Sequence, residues 1–238
     1  MERFEITIND PVIKVIIPAH NESESIGKVV RDIPDSVDEI IVVDNNSTDA
    51  TTEKAKSAGA TVLFEGRKGY GYACLKGMGY LGDQEKQTDI VVFLDGDYSD
   101  YPEELPLIVA PILEQHMDLV IGARTAAYRE RGAMTPQQVF GNWLATSLMR
   151  LFFGAQFTDL GPFRAIKYKA LLDLQMEDKT YGWTVEMQLK ALKSNLSYVE
   201  VPVKYRNRIG VSKVSGTVKG TVLAGYKILL WIFKYSVK

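Results

Sequence analysis

Two carboxylates one residue apart, Asp95 and Asp97, follow the apolar run Ile90-Val91-Val92-Phe93-Leu94 and flank Gly96. Held where a buried strand gives way to a loop, such a pair can share a hard divalent cation and present it to phosphate oxygens. An acidic triplet is equally at home in a plain turn, where Asp bonds its own backbone and Gly supplies unusual dihedrals, so the surroundings decide. Other polar groups stand at comparable places. Ala19-His20-Asn21-Glu22 follows Val15-Ile16-Ile17-Pro18, Asp44-Asn45-Asn46-Ser47 follows Ile40-Ile41-Val42-Val43, and the basic Gly66-Arg67-Lys68-Gly69 follows Val62-Leu63-Phe64. A carboxylate at Asp44 could accept hydrogen bonds from a base or ribose, and Lys68 or Arg67 could clasp a diphosphate. Glu22 suits either a ligand or the positive end of a following helix, while Ser47 to Asp49 read as a turn and helix cap.

Short β-branched runs alternating with helix-like stretches position these groups. Strands are expected at 14–18, 39–44, 60–64, 90–94, 119–121 and 198–205, and helices from about Ser23, over 48–58, 72–81, 105–114 and 139–153. That alternation predicts a doubly wound, mostly parallel sheet with crossover helices. In open sheets of this kind ligands sit beyond the carboxyl ends of the strands, so one crevice should hold all four polar segments. The stretch from Ala126 to Pro136, with Arg129, Glu130 and Arg131, reads as a loop able to order over a bound donor.

At 238 residues the chain suits one domain with a C-terminal appendage. A single cysteine, Cys74, excludes an intrachain disulfide and a cysteine-rich zinc cluster. No basic flank, apolar stretch and cleavage site open the sequence, so a cytoplasmic protein is expected. Charge is uneven: eight bases and no acid follow Glu200, against twenty bases and thirty acids in residues 1–200. A basic end of this kind suits phosphate or a membrane surface, and no nucleic-acid partner is expected.

These segments, in order, resemble family 2 glycosyltransferases, inverting enzymes with a nucleotide-diphospho-sugar transferase (GT-A type) fold. The resemblance is to the polyprenyl-phosphate branch, the dolichyl-phosphate mannose and glucose synthases. It runs through 15–22, 41–49, 68–71 and 94–97. It continues in Gly122-Ala123-Arg124, Asp159-Leu160-Gly161-Pro162-Phe163-Arg164, Gly182-Trp183-Thr184-Val185-Glu186-Met187 and Arg208-Ile209-Gly210-Val211-Ser212-Lys213. It implies an α/β, Rossmann-like sheet flanked by helices, with a catalytic domain over 1–212 and a C-terminal amphipathic helix over 213–238. Pro18, Ala19, Asn21, Glu22, Asp44, Lys68, Asp95 and Gly96 would bind the nucleotide sugar, and Asp95 and Asp97 would hold it through Mg²⁺ or Mn²⁺. Asp97, Glu186 and Arg124 would form the catalytic set, and Arg124, Arg164, Arg208 and Lys213 would address phosphate on donor or acceptor. Two departures stand out: Ser99 where related synthases can offer a Gln as a further metal ligand, and Pro162 in place of a small polar residue.

The implied activity is transfer of a sugar, with inversion, from a UDP- or GDP-sugar to a polyprenyl phosphate at a membrane surface, the protein being peripheral on its cytoplasmic face. Glu186 matches the place where many family members carry the acid that deprotonates an acceptor hydroxyl. A phosphate monoester, already anionic near neutral pH, needs no such base, and Glu186 would then orient a sugar hydroxyl or a cation. A carbohydrate or protein hydroxyl acceptor with Glu186 as base is the alternative. A non-catalytic nucleotide-sugar-binding regulator is another, against which intact Asp95, Asp97 and Glu186 speak. Nothing in the pattern sets an oligomeric state.

The segment 218–237 would cover ~30 Å as a helix. Lys227 argues against a membrane span, since a central lysine costs about 2.5–3.5 kcal/mol on the lenient insertion scale. Lys219, Lys227, Lys234 and Lys238 fall within an arc of about 100°. That is the pattern of a helix lying in a membrane interface, and also of one docked on the catalytic domain.

Overall fold

The computed structural model describes residues 10–84, 87–212 and 218–236. Seven strands form one sheet in the order β3-β2-β1-β4-β6-β5-β7. β1 (Ile13–Ala19), β2 (Glu39–Asp44), β3 (Thr61–Phe64) and β4 (Ile90–Phe93) are mutually parallel. β6 (Arg164–Lys167) is inserted antiparallel between β4 and β5 (Leu119–Ala123), and β7 (Tyr198–Pro202) closes the edge parallel to β5. Every residue of β1 and β4 is buried, which is why these strands read as unbroken apolar runs: helices cover both faces of the sheet.

The period of two along each strand divides the core in two. Val15 and Ile17 of β1 pack with α1 (Ile26–Asp32), Ala55 of α2 (Thr51–Ser57) and α4 (Leu105–Glu114). Ile16 points the other way, into a cluster with α3 (Tyr70–Gly82), α5 (Pro136–Phe153), α6 (Tyr168–Asp173) and α7 (Trp183–Lys193). α5 begins earlier than the apolar pattern predicts, because Thr135 and Gln138 form a reciprocal capping box and Pro136 occupies the first turn, where its missing N–H costs nothing. Gly154, at φ 65°, ends it.

The final helix, α8 (Val218–Ser236), packs against α5 and α7. Trp231 and Ile232 enter the core, with Ile228 and Tyr235 beside them. Lys227 and Lys234 reach Asp178 (3.0 Å) and Glu177 (3.4 Å), so part of the lysine stripe faces acids of the domain. Among the described residues no helix is long and apolar enough to cross a membrane.

The chain steps outward from β1 through β2 to β3, then returns across β1 to lay down β4 on its other side. Connections therefore diverge above the carboxyl ends of β1 and β4, the place where an open α/β sheet leaves a crevice.

Candidate active site

A cleft of about 380 Å³ opens at that point. Pro18, Ala19, His20 and Glu22 line it from the end of β1, Asn45 from β2, Lys68, Gly69 and Tyr70 from the start of α3, and Asp95, Gly96 and Asp97 from β4. Thr180 and Tyr181 add a wall from the turn before α7, and Arg208 and Ser212 one from the segment after β7. The four strand-end segments thus meet in one crevice.

Asp95 is partly buried, and its Oδ1, itself shielded from solvent, has no hydrogen-bond partner. Burial and the neighbouring charge of Asp97 push its carboxyl up to about 7, against the pull of the Arg208 and Arg124 charges. Asp97 is better served: Oδ1 accepts the Ser99 amide (2.9 Å) and hydroxyl (2.5 Å), and Oδ2 lies 2.9 Å from Nη1 of Arg208. Nη2 of Arg208 is 3.0 Å from Oε1 of Glu22, so this one guanidinium bridges two of the loops that carry acids. Ser99 orients Asp97 through its hydroxyl. Asp100, also buried, has neither carboxylate oxygen bonded, and burial and Asp95 raise its pKa well above the ordinary value.

Among the described residues no three Asp, Glu, His or Cys side chains gather into a metal cage. The chain offers two hard carboxylates, one with an unmet oxygen, and would leave the remaining ligand positions to water and phosphate oxygens. That division of ligands fits Mg²⁺ or Mn²⁺, which seldom sit in all-protein cages.

Several residues expected at the site lie elsewhere. Asn21, in the left-handed region at φ 54°, donates its amide to Ser47 Oγ (2.9 Å) and accepts from the Thr48 amide (2.8 Å), tying the β1 and β2 loops together. Asp44 accepts from the Ser47 amide and the Thr52 hydroxyl. Its neighbour Asn45 lines the cleft instead, holding the carbonyls of Glu65 and Arg67 and the Gly69 amide. Arg67 forks onto Glu65, leaving Lys68 as the cation of that loop in the cleft.

Arg124 and Arg164 are not part of the cleft lining, and both are held by partners within the protein. Arg124 makes a two-pronged pair with Asp159 (2.8 and 2.7 Å); burial opposes its charge, but Asp159 outweighs it and raises the pKa well above the ordinary value. Arg164 is fully buried and donates to the carbonyls of Leu160, Gly161 and Thr184, with burial pulling its pKa down to about 10. Glu186 is also fully buried. Its Oε1 accepts the Glu177 amide (2.7 Å) and lies 2.8 Å from Lys190, and its Oε2 accepts the Asp178 amide (2.8 Å). A carboxylate so occupied holds the loop before it. Lys213 lies outside the described residues.

His20, Tyr70, Thr180, Tyr181 and Ser212 complete the lining without having been singled out. His20 and Tyr70 bear buried side-chain atoms, Nδ1 and the hydroxyl, without hydrogen-bond partners. An unmet polar atom at a strand end is a signal that only three-dimensional burial reveals.

Residues 14–174 match the model of glycosyl transferase family 2. An uncharacterized glycosyltransferase of Mycobacterium tuberculosis is 35% identical over 215 residues, 89% of this chain and 94% of its own. The undecaprenyl-phosphate mannosyltransferase of Micrococcus luteus is 31% identical over 221 residues, 87% of this chain and 89% of its own. Among solved structures, the glucosyl-3-phosphoglycerate synthase of Mycobacterium tuberculosis, crystallised with Mn²⁺, UDP and glucosyl-3-phosphoglycerate, superposes with a TM-score of 0.74 at 23% identity, covering 95% of this chain and 80% of its own. On the match across 14–174 and the identity to full-length relatives, the chain belongs to glycosyl transferase family 2 and is a glycosyltransferase.

Proposed function

We propose that this glycosyltransferase moves a sugar, with inversion, from a UDP- or GDP-sugar to a polyprenyl phosphate at a membrane surface. The observation that carries the reading is the acidic pair of Asp95, with an unmet oxygen, and Asp97, set against Lys68 and Arg208 in a single cleft. Asp95 and Asp97 would hold Mg²⁺ or Mn²⁺, which supplies positive charge for the departing diphosphate. Lys68 and Arg208 add fixed cations where that negative charge grows. Pro18, Ala19 and Asn45 wall the nucleoside end.

An acceptor phosphate oxygen attacks the anomeric carbon from the face opposite the diphosphate, and the anomeric carbon–oxygen bond to the donor breaks with its electrons. No proton need be removed from such an acceptor, which agrees with the burial of Glu186. A hydroxyl acceptor would need a base that Glu186, with both oxygens engaged, does not offer.

Two observations support a lipid acceptor. One is the likeness to the Micrococcus luteus enzyme. The other is an apolar outer face shared by α5 and α8: Phe140, Trp143, Leu151, Phe152, Tyr226 and Phe233 are exposed, and the Phe152 and Phe233 rings meet edge to face at 5.9 Å. Exposed aromatics on paired helices suit the headgroup level of a bilayer.

Incubation of the protein and Mn²⁺ with a panel of UDP- and GDP-sugars, with and without vesicles bearing polyprenyl phosphate, tests this. One donor should release its nucleotide diphosphate, and the lipid phosphate should stimulate it strongly. Silence with every donor removes the enzymatic reading, and stimulation by a soluble sugar alone removes the lipid acceptor.

A further inference from the structure

α3 has no side-chain cap at its N-terminus. The first amides of a helix lack intrahelical partners. Here two are met by another part of the chain: Gly71 N donates to the carbonyl of Thr180 (3.3 Å) and Tyr72 N to that of Lys179 (3.1 Å). The two backbones touch, for a Cβ on Gly69 would lie 2.2 Å from the Lys179 carbonyl oxygen and one on Gly71 would lie 2.0 Å from that of Asp178. The 178–181 turn is therefore the cap of α3, and both sides of the contact line the cleft, through Lys68, Gly69 and Tyr70 on one and Thr180 and Tyr181 on the other.

That turn is itself held from the C-terminal helix. Asp178 has a fully buried side chain. Its Oδ1 accepts the Thr180 (2.7 Å) and Gly182 (3.0 Å) amides, and its Oδ2 accepts the Trp231 indole N–H (2.7 Å) and the Lys227 ammonium (3.0 Å). Trp231 lies so close that a Cβ on Gly182 would stand 2.4 Å from its ring.

We infer that Asp178 is a positioning residue that joins α8 to the donor cleft: one oxygen grips Trp231 and Lys227, the other shapes the turn that caps α3 and walls the cleft. This rests on the proposed reading of the cleft as a donor site. Burial alone would raise the Asp178 pKa, but its hydrogen bonds from Trp231, Thr180, Lys227 and Gly182 outweigh that and lower it, so the carboxylate stays charged. The helix bearing the exposed face thereby sets the geometry of the wall that meets the donor.

Hydrogen–deuterium exchange on the full chain tests the link without reference to the reaction. Trp231→Phe keeps an aromatic ring and removes the N–H donor together with part of the ring's volume. Exchange should quicken about tenfold, the scale of one lost hydrogen bond, at the Thr180 and Gly182 amides and also at Gly71 and Tyr72 across the contact. Should that variant fail to fold, Lys227→Gln, on a partly exposed side chain, carries the test with a smaller effect, and Lys227→Arg should restore the wild-type pattern. Acceleration confined to α8 and 178–182 overturns the inference. In turnover, the variants should raise donor KM severalfold with kcat held, while equal losses in kcat and kcat/KM with KM unchanged also overturn it. If the wild type turns over no donor, the reading of the cleft fails, and the exchange result still decides the link.

Discussion

Two acid clusters stand out among the described residues, and they are treated in opposite ways. At the end of β4, Asp95 leaves an oxygen unbonded and Asp100 leaves both, and each carboxyl is pushed upward by burial and by neighbouring acids. Around α7, Asp178 and Glu186 have every oxygen engaged by amides, an indole or an ammonium. Unmet buried acids are tolerated where a ligand is to complete them, whereas fully met ones hold backbone in place. The same residue type is left open in the first cluster, where the proposed function places a ligand, and holds architecture in the second.

The sharpest way to break that comparison is to truncate one acid from each cluster. Asp95→Ala should lower turnover on the order of a thousandfold, with no loss of melting temperature because its Oδ1 has no partner to strand, read by donor turnover and calorimetry. Glu186→Ala should instead cost about 3 kcal/mol of stability in urea unfolding, because it strands Lys190 and two amides. If Glu186→Gln keeps full stability yet abolishes transfer, Glu186 belongs with the catalytic acids and the division fails.

pH should separate the clusters by sign. The Asp95 carboxyl stands at about 7 in the folded chain against an ordinary 3.8, so the folded state holds its proton longer. Stability that is full below about 3.8 should then decline as pH rises toward 7. Asp178 is lowered from 3.8, so its contribution is present above that value and lost as pH falls below it. Asp95→Asn should flatten the decline of the metal-free protein between these limits, while Asp178→Asn should alter only the acid side. Because a cation must displace the Asp95 proton, the melting shift caused by Mn²⁺ should grow with pH up to about 7. The smallest effect is expected from Lys234→Ala, whose half-exposed pair with Glu177 at 3.4 Å should contribute under about 1 kcal/mol.

The first four strands and their polar ends were legible because a parallel strand covered on both faces leaves a continuous apolar run with a turn behind it. β6 was not. Arg164-Ala165-Ile166-Lys167 is short, begins and ends on a base, and is a strand only because β4 and β5 receive it on either side. The site was legible to the level of the loop but not of the side chain. Asp44 and Asn45 are both polar at one strand end, and only the packing shows which lines the cleft. Arg124, Arg164 and Glu186 carry the right chemistry, yet partners that lie apart in sequence, Asp159 for Arg124 among them, draw them inward. Exposure, which composition does not encode, separates them from Arg208.

The seat of Trp231 beneath Gly182 also bears on how the chain comes off the ribosome. Strands β1 to β4, with both metal-binding candidates, are made and can begin to pack while α8 is still unsynthesised, since domains tend to form from the N-terminus as they emerge. Asp178, more than fifty residues upstream of the indole it bonds, waits with an open oxygen until that ring arrives. A nascent chain stalled before residue 231 would therefore carry the acids proposed to hold the metal without the finished wall beside them, and the arrival of α8 is what completes that wall.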